Sequence, residues 1–162
     1  MTKSERSPGR TREEIAHDVA VVLKAELHDK TKRAVVKNAA WAWTTMSGKY
    51  DGCRYWTQAA RDHFNAATAK RKAKGLIHEH VVPIEALFQF LIALPEPTED
   101  AVYDCLEKCL HGVVVTKSEH DRLNREFKHS MPQGFDYRTD QIRARYERCE
   151  IEIIEPSVDE QL

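Results

Sequence analysis

Glycine and proline are scarce, six of each in 162 residues, and that scarcity argues for a mostly helical globule rather than a turn-rich chain. Cysteine is sparse as well. The four present, Cys53, Cys105, Cys109 and Cys149, form no CxxC pair, so neither a disulfide framework nor a zinc ribbon is signalled. No apolar run is long enough to span a bilayer, and the opening Met-Thr-Lys-Ser-Glu-Arg is not a charged head followed by an apolar signal segment. A cytoplasmic protein without membrane partners is expected. Charge of one sign is missing too: the formal net charge is −1, which removes any global attraction to nucleic acid and leaves only local basic patches. What is present is 41% hydrophobic residues, enough for one domain with a real core.

The chemistry gathers in two segments, His78-Glu79-His80-Val81-Val82-Pro83 and His111-Gly112-Val113-Val114-Val115-Thr116-Lys117-Ser118-Glu119-His120, continuing to Asn124. Leu76 to Val82 and Val113 to Thr116 are short runs with β-branched residues, and Lys117 to Lys128 is charged and helix-forming. One antiparallel strand pair and a helix would join them. Pro83 stops ladder pairing just beyond Glu79 and His80, while His120 and Asn124 fall four apart on one helix face. Two imidazoles, a carboxylate and an amide then converge, which reads as a metal site. In a strand His78 shares a face with His80 while Glu79 points the other way, so His78 stands as an alternative ligand to Glu79.

Glu79-His80-Val81-Val82-Pro83 followed by Val115-Thr116-Lys117-Ser118-Glu119-His120-Asp121-Arg122-Leu123-Asn124 resembles the HNH, or His-Me finger, nuclease motif. The resemblance covers about residues 76 to 130. It implies a ββα-metal fold, with His80 as general base, Glu79 and His120 as metal ligands and Asn124 as a possible further ligand. Where the family name has Asn, this chain has His111, nine residues before His120, in a position to orient His80 or the loop. The interval between the two segments is longer than in compact members. The fold expected is α+β and mostly helical: the ββα-metal unit carries a long helical insert, 84–110, between its strands and is embedded in a helical domain.

In chain order, residues 1–10 lack a periodic apolar set and read as a frayed tail, and 11–75 as a helical region. Thr11-Arg12-Glu13-Glu14 fits a capping box, after which Ile15, Val19, Val22 and Leu23 share one face. A second helix is expected over Lys32 to Met46 and a third from Gln58 to about Ala69, capped by Thr57. The glycine- and aromatic-rich stretch between them, Ser47 to Trp56, suits a packed loop and also base stacking; packing is the reading taken. Lys70, Arg71, Lys72 and Lys74 form the strongest basic cluster, beside the first motif strand; with Arg122 and Arg125 they are the candidate phosphate contacts. Cys105 and Cys109, one turn apart on an apolar stripe, read as core rather than as a zinc site with His111. Thr116 or Ser118 caps the motif helix. Within 131–150 a final Arg-rich helix, about Thr139 to Arg148, is expected to flank a nucleic-acid groove. Glu150 to Glu155 alternates as a short strand would, and 151–162 is the acidic tail.

Phosphodiester cleavage needs an activated water, neutralised phosphate charge and a stabilised leaving oxygen. The resemblance implies that one divalent cation, magnesium, manganese, nickel or zinc, and one imidazole meet that need. The function expected is a metal-dependent endonuclease acting on DNA, with RNA as an open alternative substrate and a homo-oligomer as a possible assembly. The competing expectation is a catalytically inactive module that keeps the fold for nucleic-acid or protein binding.

Overall fold

The computed structural model describes residues 9–68, 73–139 and 141–155. Its fold is α+β, about half helical rather than mostly so, with a small mixed sheet of four strands. Tyr55 to Thr57, inside the stretch read as loop, is a strand, and the last helix is shorter than expected, whereas the alternating Glu150 to Glu155 run does supply a strand, Ile153–Ile154.

Helix α1 (Arg12–Lys24) begins on the expected capping box: Glu14 N–H donates to Thr11 Oγ1, and the Glu14 carboxylate accepts the Thr11 N–H at 2.8 Å. The tail does not fray as far as residue 10, because Arg10 bonds Asp18 and Asn38. Helix α2 (Asp29–Thr44) starts three residues earlier than its apolar pattern, at a cap made by His28 Nδ1 accepting from Lys30 N–H. Helices α4 (Ile84–Ile92) and α5 (Glu99–Cys109) are the insert between the motif strands. They pack on α1 and α2 around Ile15, Val19, Val36, Leu87, Phe88 and Leu106, so the insert completes the main helical core. Cys105 and Cys109 are buried in that core.

Strand β1 (Tyr55–Thr57) was expected as loop; it is short, and its parallel partner lies far along the chain. Tyr55 and Trp56 are buried, so the aromatic stretch packs rather than presents rings to solvent. Helix α3 (Gln58–Ala66) follows directly, capped by Thr57. The sheet runs β2–β3–β1–β4, with β2 (Leu76–His80) antiparallel to β3 (Gly112–Thr116), β1 parallel to β3, and β4 (Ile153–Ile154) antiparallel to β1. Residues 151–155 therefore belong to the fold rather than to a free tail. Residues 1–8, 156–162, and Lys70, Arg71 and Lys72 of the basic cluster lie outside the described residues.

The β2–β3 register sorts the candidate residues. Ile77 pairs Val115 and Glu79 pairs Val113, which turns all four toward helix α6 (Lys117–Phe127) and its apolar partners Val81, Leu123 and Tyr146. His78 pairs Val114 and His80 pairs Gly112, which turns both imidazoles to the opposite face. Gly112 is needed there, since a Cβ would sit 2.8 Å from Cys53 Sγ and 3.1 Å from the His78 ring. Thr116 rather than Ser118 caps α6. The Glu119 carboxylate accepts from Thr116 N–H and Oγ1, both at 2.9 Å, and from Thr57 Oγ1 at 2.7 Å, tying the helix start to β1. The last helix, α7 (Ala144–Arg148), is five residues instead of ten, and what precedes it is turn. Among the described residues no helix is long and apolar enough to cross a membrane.

Candidate metal centre

Glu79, near the end of β2, and His120, in the first half of α6, meet across the strand–helix gap with Glu79 Oε2 2.9 Å from His120 Nδ1. Asn124, one helical turn after His120, reaches the other ring nitrogen, its Nδ2 2.8 Å from His120 Nε2. One proton arrangement satisfies both contacts: Nδ1–H donates to Glu79 and Nε2 accepts from the Asn124 amide. The structure thus brings all three predicted ligands together, but Glu79 and Asn124 occupy opposite sides of the imidazole. An ion held between Glu79 Oε2 and His120 Nδ1 leaves Asn124 behind the ring, where it fixes ring orientation.

The second oxygen of Glu79 is held by Arg145, whose Nη2 donates to Glu79 Oε1 at 2.8 Å. Arg145 is 0% exposed. Its Nε donates to the Val81 carbonyl at 2.9 Å, Nη1 to the Phe127 carbonyl at 3.1 Å, and Nη2 to the His80 carbonyl as well. One guanidinium therefore locks the exit of β2, the end of α6 and the carboxylate together. The Arg-rich helix expected to flank a nucleic-acid groove has its central arginine in the core; the neighbouring apolar residues Ile142, Tyr146 and Cys149 were the available signal.

His80 lies on the other face. Its Nε2 is 3.2 Å from Thr44 Oγ1, and the Trp41 ring meets it edge-on at 4.7 Å. It is 5% exposed, and burial, then the neighbouring His78, push its pKa down to about 4. His78 packs beside it with rings 5.4 Å apart and donates Nδ1–H to the Lys49 carbonyl at 2.6 Å; burial lowers its pKa also. His78 therefore does not join Glu79's face as a ligand. Cys53, 3.5 Å from His78 Nδ1, is pushed up to about 12 by burial and is a protonated core thiol.

His111 does not touch the His80 ring. Its imidazole lies edge-on to Tyr55 at 5.7 Å, while its backbone carbonyl accepts the Val81 N–H at 2.9 Å, so it orients the loop through the main chain. Its ring lines a cavity of about 120 Å³ with Arg12, Thr44, Arg54 and Glu107. Burial, then the Arg54 charge, lower its pKa. Of the candidate phosphate contacts, Lys74 and Arg125 are exposed, whereas Arg122 donates to the Cys149 carbonyl at 3.0 Å and is half-buried.

The donor set decides which ions suit the site. Among the described residues no three His, Cys, Asp or Glu side chains gather as metal ligands, so a closed structural zinc site does not fit. One carboxylate and one imidazole do fit an open site for a divalent ion that keeps several waters. The Glu79–His120 separation of 2.9 Å is that of a hydrogen bond, so an ion bound by both would displace the proton between them. No family model matches the chain, and neither a curated protein nor a solved structure does.

Proposed function

We propose that the chain is a metal-dependent endonuclease of the HNH type, hydrolysing phosphodiester bonds in DNA around a ββα-metal unit made of β2, β3 and α6. The observation that carries this reading is the Glu79–His120 pair, brought from strand and helix to within 2.9 Å. A divalent ion bound there would neutralise a phosphate oxygen and stabilise the leaving oxygen. Glu79 offers Oε2 while Arg145 holds Oε1, so the carboxylate is preset. His120 would offer Nδ1 after giving up its proton there; Nε2 would then carry the proton, and the Asn124 side chain would turn its Oδ1 to accept it. His80 is neutral at pH 7, the protonation state that a general base requires. Its low pKa comes from its cover, and displacement of Trp41, 37% exposed, would admit water and return its basicity toward about 6.5.

The buried seat of His80 favours a second reading, a nucleic-acid- or partner-binding module that keeps this unit without catalysis. Cleavage separates the two. Metal-stripped protein is incubated with supercoiled plasmid, and with RNA, and supplied with magnesium, manganese, nickel or zinc in turn. Nicking is expected with at least one metal, reduced about a hundredfold or more in His80→Ala at unchanged melting temperature and metal affinity. Glu79→Gln should weaken metal binding instead, and Trp41→Ala should leave His80 more basic in an NMR titration. Folded protein that binds metal and nicks nothing, or nicking that survives His80→Ala, would overturn the nuclease reading.

A further inference from the structure

We propose that the cavity beside His111 is an oxyanion site that takes a single phosphate group. This goes beyond the nuclease reading and does not need it, because the cavity shares none of the residues assigned there to the metal.

Size limits the occupant. The cavity holds about 120 Å³, roughly four times the share of one water in the liquid and well below the ~300 Å³ at which pockets for larger organic ligands begin. Charge limits it further. Arg12 enters from the first turn of α1 and Arg54 from the residue before β1, so two guanidiniums from separate elements converge. Each is laid over an aromatic ring, Arg12 on Trp43 at 4.9 Å and Arg54 on Tyr55 at 5.3 Å, which reduces the ordering that binding would require. The lining has one carboxylate, Glu107, and it is bonded to Arg12 at 2.9 Å. Arg54's acidic neighbour, Glu155, stands back at 3.8 Å. Arg12 is thus matched within the lining, while the partly exposed Arg54 has its acidic partner outside it.

Donor geometry favours phosphate. Two guanidiniums and His111 line the cavity from α1, the residue before β1 and the residue before β3. These are more donors than a two-oxygen carboxylate can use and suit a compact oxyanion with several acceptor oxygens. The Thr44 hydroxyl already donates to the Ala40 carbonyl. The groups acting on His111 are Arg54, Arg12, Glu107 and a hydrogen bond with the Lys108 backbone, and the two arginines disfavour its protonation. A bound phosphate reverses that field.

The test uses the full chain, metal-free in EDTA at constant ionic strength, with His111 ring resonances followed as inorganic phosphate is added. A saturable shift and a raised His111 pKa are expected, with affinity about tenfold lower in Arg54→Gln, the loss of one charge-assisted hydrogen bond. Lys24→Gln, exposed in the last turn of α1 and away from the cavity, should bind as the parent does. A DNA oligonucleotide with a 5′-phosphate, compared with the same strand ending in a hydroxyl, identifies the source: tighter binding of the first assigns a strand end, equal binding a free phosphate. No saturation at tens of millimolar phosphate, or equal affinity in Arg54→Gln, would overturn the proposal.

Discussion

The two faces of β2 solve the burial of polar groups in opposite ways. Toward α6, Glu79 stays partly open and is compensated by the Arg145 guanidinium and the His120 ring. Toward α2, His78 and His80 are sealed beneath Trp41 and avoid the cost of burial by shedding charge, as their lowered pKa values show. Four consecutive residues, Ile77 to His80, thus build an ionic pocket on one side and a dry imidazole pair on the other. Adjacency in a strand does not make residues neighbours in chemistry.

The largest test of this contrast is Arg145→Met. Removing a buried cation that serves a carboxylate and three carbonyls should cost about 3–5 kcal/mol, read as a lower urea midpoint, because those partners stay buried and unpaired. A loss no greater than that of an ordinary surface arginine would show that the ionic face does not depend on it.

The dry face answers to pH. His80 has a folded pKa of about 4 against an ordinary 6.5, so the unfolded chain takes up the proton first. Stability from the neutral ring is complete above pH 6.5, falls between 6.5 and 4, and levels off below. Linkage puts the loss on the order of 3 kcal/mol. The difference between the pH profiles of the parent and His80→Gln isolates it from His78 and His111, which act in the same direction; identical profiles would refute burial of a neutral His80. The smallest effect should come from Asn124→Ala, about 1 kcal/mol for one half-exposed hydrogen bond, measured in the same urea series. A loss as large as that of Arg145→Met would make Asn124 part of the ionic lock rather than a steadying contact.

Local signals were legible where neighbours in sequence settle the structure. The Thr11 capping box, the apolar faces of α4 and α5, and β3 followed by α6 all appear with the expected register or nearly so. The signal failed where partners lie far apart. Tyr55 to Thr57 is too short to declare itself a strand until β3 and β4 flank it, and α7 is half its expected length, with Arg145 turned inward. The candidate site divides the same way: Glu79, His120 and Asn124, singled out by the motif resemblance and the four-residue helical spacing, do meet, whereas Arg145 reads as a solvated charge until β2 and α6 surround it.

By itself, then, the amino-acid order determined which residue types recur at helical and strand spacing, and so which side chains share a face. Tertiary packing alone decided what each face meets. Glu79 and His80 differ by one position, but the free energy of a charge depends on what fills the next few ångströms, and on these two faces that is supplied by α6 and α7 on one side and α2 on the other. His120 and Arg145 meet the Glu79 carboxylate with hydrogen bonds, whereas burial beneath Trp41 and the neighbouring His78 keep His80 neutral.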